Sequence, residues 1–88
     1  MASYSYFVTR SAQRDLKKMN AVSRQRIRRK LEHFASADDP RTFAIQITRV
    51  RPPIYRFRVG KYRVFFDIRN HTLWILGVRL RDKAYTDL

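Results

Sequence analysis

Tyr55-Arg-Phe-Arg-Val-Gly-Lys-Tyr-Arg-Val-Phe-Phe66 consists of two runs alternating arginine with apolar residues, separated by Gly60 and Lys61. Successive side chains of a strand leave opposite faces, so Arg56 and Arg58 share one side while Tyr55, Phe57 and Val59 share the other. A Gly-X pair between two such runs reads as a two-residue hairpin turn. The turn sets Val59 opposite Tyr62, Arg58 opposite Arg63 and Arg56 opposite Phe65. Arg56, Arg58 and Arg63 then crowd one face, with Tyr62, Val64 and Phe66 on the core side. Like charges directly opposite on a sheet are destabilising, so this face is expected to hold an anion. A nucleic-acid phosphate is the best candidate.

Around the hairpin the pattern divides the chain into a helical half and a strand half. Ser3 to Thr9 alternates as a first strand, with Tyr4, Tyr6 and Val8 on one side. Thr9 or Ser11 can cap the helix that follows. Its stripe is Ala12, Leu16 and Met19. After a break at Asn20 a second helix runs from about Ala21 to Ala35, with Ile27, Leu31 and Phe34 repeating the spacing, and the short link makes the pair a helical hairpin. Ser36 to Thr42 is a turn-rich loop. From Phe43 to Thr48 the period becomes that of a strand, closed by Pro52 and Pro53. Asn70 and His71 form the next turn, expected to pair Asp67 with Trp74 and Phe65 with Leu76, and a last strand spans Thr72 to Arg79. The expected fold class is α+β: a twisted antiparallel sheet of about four strands, with the N-terminal helical hairpin packed on one face. The opposite, partly open face carries the arginines.

At 88 residues, residues 1–88 are expected to make a single domain with one modest core. Twenty Lys plus Arg against seven Asp plus Glu gives a net charge of +13, and 15 of the basic residues are arginine. Such a balance favours polyanions, and arginine suits bidentate phosphate contacts. No apolar run approaches the roughly 20 residues of a membrane-spanning helix, and no signal-peptide pattern opens the chain. With no cysteine there are no disulfides and no thiolate metal sites, a composition that permits a cytoplasmic location.

Further candidates lie outside the hairpin. Arg24, Arg26, Arg28, Arg29 and Lys30 place five cations in seven residues of the second helix. They suit sequence-independent docking on an RNA or DNA backbone, and Lys61 at the hairpin tip joins them. His33 suits the end of a helix as a cation, and His71 falls in a turn. Neither has metal-ligand spacing, so no metal or other cofactor is expected. Trp74 shares the open face with Asp67 and the arginines, where packing or base stacking is open to it. The last strand leads Arg81 and Tyr85 towards the same face.

The opening Thr9-Arg-Ser-Ala-Gln-Arg-Asp-Leu-Lys-Lys-Met19, the hairpin Tyr-Arg-x-Arg-x-Gly-x-Tyr-Arg-Val and the ending Val78 to Tyr85 together resemble the RelE/ParE toxin superfamily, over nearly the whole chain. The resemblance implies a small basic toxin of a type II toxin–antitoxin pair. RelE-like members cleave messenger RNA in the ribosomal A site without metal, and ParE-like members inhibit DNA gyrase. The RelE-like branch carries basic or aromatic residues at the positions matching Arg56, Arg58, Arg63, Arg81 and Tyr85, a set that ParE-like members generally lack. The resemblance therefore implies catalysis by these five residues, with Arg24, Arg26, Arg28, Arg29, Lys30 and Lys61 binding RNA or the ribosome. The implied partners are a cognate antitoxin with an acidic and apolar C-terminal segment, messenger RNA and the ribosome, with the toxin itself a monomer.

Two positions depart from the RelE-like pattern. Arginine replaces the usual lysine at Arg56 and Arg58, and Leu80 stands where many relatives carry histidine. An arginine is always protonated and makes a poor general base. A gyrase inhibitor, or a nucleic-acid-binding module or decayed toxin that cuts nothing, are the alternatives.

Overall fold

The computed structural model describes residues 4–80, running β1 (Ser5–Val8), α1 (Arg10–Lys17), α2 (Ala21–Ala35), a 3-10 turn (Pro40–Phe43), β2 (Ala44–Ile47), β3 (Ile54–Val59), β4 (Tyr62–Arg69) and β5 (Thr72–Leu80). The helices start where the capping residues stand. Thr9 accepts the Ala12 N–H at 3.3 Å, and Asn20 accepts the Ser23 N–H at 2.8 Å, each satisfying one orphan donor of a first helical turn. Arg24 ties the two helices together by donating Nη1 to the carbonyls of Leu16 and Met19, at 3.3 and 3.1 Å.

The sheet has five strands in the order β1-β5-β4-β3-β2, against the expected four or so. β1 joins it parallel to β5, while the other neighbours are antiparallel. Thr9 Oγ1 locks that long-range join by donating to the Ile75 carbonyl at 2.7 Å. The helices cover one face as expected. Ala12 and Leu16 from α1 and Ile27, Leu31, Phe34 and Ala35 from α2 pack on Phe57, Val59, Val64, Phe66, Leu73, Ile75 and Val78. Phe57 is the centre of that core, with its ring 4.1 Å from those of both Phe34 and Phe66.

The hairpin register is the one the turn dictates, from Tyr55↔Phe66 to Val59↔Tyr62. Gly60 has a φ of 59°, the positive value that the first central residue of a II′ turn requires. In the next turn Asn70 and His71 both have positive φ, 49° and 61°, and the His71 ring lies 4.8 Å from that of Tyr4.

Asp67 faces Trp74 as expected, but Phe65 faces Gly77 and not Leu76. A bulge at this point leaves Leu76 without a partner across β4 and advances the register by one residue. Its consequence is large, because one residue of slip reverses the faces. Val78 turns into the core, and Arg79 comes to lie opposite Arg63. Beyond Ile75 the strand has outrun β1, and Asp15 of α1 takes over: its Oδ2 accepts the Val78 N–H at 2.9 Å and pairs with Arg79 Nη1. Gly77 leaves room in that corner, since a Cβ there would sit a tight 3.2 Å from Arg79 Nη1 and 3.3 Å from Asp15 Oδ2.

Candidate functional site

On the face away from the helices, Arg58, Arg63 and Arg79 form one row across three neighbouring strands. Arg79 is neutralised by Asp15. Arg58 is exposed. Arg63 is only 2% exposed, and its Nε and Nη1 find no hydrogen-bond partner among the described residues. Burying a charge with unused donors is costly, so Arg63 is set apart from the paired Arg79 beside it.

Arg56, Arg58 and Arg63 line one pocket of about 180 Å³, whose remaining wall is Phe43 and Ile45. The three hairpin arginines singled out in the sequence are therefore together, lining one small cavity and not merely sharing one face. The face is also less bare than expected. Ile47 and Phe65 are buried on it in a small apolar cluster, with Val50 and Ile54 packed against them.

Two of the larger concavities are chemically different. One of about 500 Å³ runs past Asp15, Met19, Tyr62 and Leu80, and another of about 390 Å³ lies among Tyr4, Arg41, Tyr55 and His71. In each, the guanidinium is already held by a carboxylate: Arg79 by Asp15, and Arg41 by Asp39 at 2.9 Å. The side-chain hydrogen bond from Arg41 holds the Asp39 carboxyl below its ordinary range, and that bond in turn raises the Arg41 guanidinium. The smaller pocket of Arg56, Arg58 and Arg63 has no carboxylate among its described lining residues.

Of the second-helix cations, Arg28, Arg29 and Lys30 are exposed along α2. Arg24 is spoken for by the α1 carbonyls, a structural task that its sequence position did not announce. Arg26 leaves the helix surface for the hairpin tip, where it lines a pocket of about 250 Å³ together with Lys61, Gly60 and Tyr62. The two cations thus meet at the hairpin tip. Arg81 and Tyr85 lie outside the described residues. His33 and His71 make ring contacts, with Phe34 and Phe43 for the first and Tyr4 for the second. Trp74 is packed between Phe7, at 5.0 Å, and the guanidinium of Arg69, at 5.1 Å. Arg79, Phe43 and Ile45 were not anticipated. Alternation marks Ile45 as a face residue, but nothing in the sequence places it opposite Arg56 on the neighbouring strand.

The architecture is that of the RelE-like toxins. It resembles the toxin–antitoxin complex RelBE2 from Mycobacterium tuberculosis at a TM-score of 0.65 and 28% identity, covering 90% of this chain and 99% of that one. It also resembles the archaeal RelE–RelB complex from Pyrococcus horikoshii OT3 at a TM-score of 0.73 and 20% identity, over 90% and 96% of the two chains. No curated protein sequence matches significantly. Residues 6–85 match the model of the ParE toxin of the type II toxin–antitoxin system parDE, and the chain belongs to that family, within the RelE/ParE superfamily. It is a toxin of a type II toxin–antitoxin system. Among the described residues no helix is long and apolar enough to cross a membrane.

Proposed function

We propose that the chain is a ribosome-dependent endoribonuclease that cuts messenger RNA by attack of the 2′-OH on the adjacent phosphorus. The observation that carries this reading is the buried side chain of Arg63, whose Nε and Nη1 have no hydrogen-bond partner among the described residues, at the wall of a pocket shared with Arg56 and Arg58. In-line attack builds negative charge on the non-bridging oxygens and on the departing 5′-oxygen, and preorganised donors aimed there lower the barrier. Arg63 stabilises the charge of the phosphorane. Arg56 and Arg58 grip the phosphate and polarise the 2′-OH as electrostatic groups, since a guanidinium does not accept the proton. Arg81 stabilises the charge on the leaving oxygen, which takes its proton from solvent, and Tyr85 orients a base. The proton lost by the 2′-OH is balanced by the one gained at the 5′-oxygen, leaving a cyclic phosphate and a 5′-hydroxyl. The chemistry rests on positioning, which the ribosome completes by arranging the message. Arg26, Arg28, Arg29, Lys30 and Lys61 are the surface for ribosomal RNA, with Arg24 adding charge from its helix-linking position. The activity belongs to the cytoplasm, and the acidic, apolar C-terminal segment of a cognate antitoxin covers the arginine face.

The test is a translating extract supplied with the protein, with message 3′ ends mapped. Cut message is expected, lost in Arg63→Ala and Arg81→Ala. If both variants cut as the parent does, the assignment is wrong. The match to the ParE family favours a second reading, inhibition of DNA gyrase. It requires blocked supercoiling with intact message in the same extract. If neither is seen, the arginines bind nucleic acid without cutting it.

A further inference from the structure

The arginine pocket has a second kind of wall. Phe43 and Ile45 are 46% and 59% exposed, among the most exposed large apolar side chains of the described residues. Both border the same cavity as Arg56, Arg58 and Arg63. Ile45 stands directly opposite Arg56 across the β2–β3 pairing, on the outermost strand of the sheet. Phe43 enters the edge from the 3-10 turn, where its ring stacks on that of Phe34 at 5.2 Å and meets that of His33 at 5.6 Å. One part of the ring is thus clamped against α2 while much of the rest is open. A clamped ring loses little conformational freedom on binding.

We propose that Phe43 and Ile45 form a nucleobase subsite, holding the base of a single-stranded RNA nucleotide whose phosphate rests on Arg56, Arg58 and Arg63. A nucleotide carries an anion and a flat apolar ring only a few bonds apart, and the pocket presents a surface for each at that proximity. Its 180 Å³ or so limits what it can take to about one base, with the rest of the strand outside it. A base must be unstacked to lie on an aromatic ring, which selects single strands over duplexes. The edge position of β2 leaves the strand free to enter from the side. The choice of RNA rests on the cleavage reading above, whereas the contact between base and ring does not. Phe43 and Ile45 are then specificity-determining residues, deciding which nucleotide is seated beside the phosphate.

The test uses the full chain and two labelled probes, a hexameric single-stranded RNA and the same hexamer with abasic sugars, titrated by fluorescence anisotropy at one salt concentration. Phe43→Ala is expected to weaken binding of the base-bearing hexamer about 5- to 150-fold, the span of base–aromatic stacking, and to leave the abasic one unchanged. Phe43→Trp should restore the difference, and Ile45→Ser, at an exposed position that does not threaten the fold, should reduce it. Arg63→Ala should weaken both probes alike. Equal binding of the hexamer by parent and Phe43→Ala, an equal loss on both probes, no binding by the parent, or a loss confined to antitoxin capture would each overturn the proposal. A parent that discriminates the probes but leaves messages intact overturns the cleavage reading alone. A Phe43→Ala variant that cuts messages with unchanged site preference and binds both probes as the parent does overturns only the subsite.

Discussion

Replacing Arg63 by methionine should make the protein more stable and inactive at once. In the parent the Arg63 guanidinium is 2% exposed, has two nitrogens without partners among the described residues, and faces Arg58 on one side. An unsatisfied buried donor costs about 1–3 kcal/mol, and more when charged. Repulsion from Arg58 adds at most about 3 kcal/mol for charges some 6 Å apart at an effective dielectric constant near 20, and solvent around the exposed Arg58 removes much of that. Methionine keeps most of the apolar stem, and Arg63 lines a surface pocket, which limits the void that the deleted guanidinium leaves. The net gain is about 2 kcal/mol. For a domain of this size that raises the melting midpoint by about 8–16 °C. Circular dichroism melts in a buffer without multivalent anions measure it. Inorganic phosphate should then raise the midpoint of the parent, whose site it fills, and leave that of Arg63→Met unchanged. A methionine variant that melts below the parent would refute the idea that this cation is held at the expense of stability.

Other side chains make narrower predictions. Asp15→Ala removes the acceptor of the Val78 N–H and the partner of Arg79; it should cost about 2 kcal/mol, lowering the midpoint by about 8–16 °C, with Asp15→Asn recovering part of it. A midpoint unchanged in Asp15→Ala would show that the corner holds without it. Asn20→Ala loses the cap of α2 and should lower the midpoint by about 4–8 °C in the same melts, for about 1 kcal/mol. Phe7→Ala uncovers one side of Trp74, the only tryptophan of the chain; its emission should shift to the red and its quenching by acrylamide increase, with little change in the midpoint because Phe7 is already half exposed.

What could be read from the sequence is what short-range chemistry decides. Gly60 permits one turn, and the turn fixes every pair from Val59↔Tyr62 back to Tyr55↔Phe66. Asn20 sets the start of α2 in the same way, and the 3.6-residue stripe of Ile27, Leu31 and Phe34 supplies its buried side. Legibility stops where distant segments negotiate. The bulge at Leu76 answers to Asp15, 63 residues from Val78, and no local pattern announces it. Without the bulge Arg79 could not have been placed in the arginine row. Phe43 was assigned to a strand because it alternates with Ile45, yet Asp39 and Pro40 nucleate a 3-10 turn through it. The spacing shows the hairpin arginines as a cluster, but the apolar wall beside them depends on β2 arriving at β3.

The parallel pairing of β1 with β5 also has a consequence for how the chain comes into being. The first strand finds its only sheet neighbour among the last described residues, with Thr9 bonded to Ile75 66 positions away. Contacts of such long sequence separation slow folding and cannot form until both ends exist. During synthesis the helices and the central hairpin can assemble early, while the sheet waits open for β5. A nascent chain stopped before Thr72 therefore has no place to dock its own beginning, and the arginine row closes only when Arg79 has emerged.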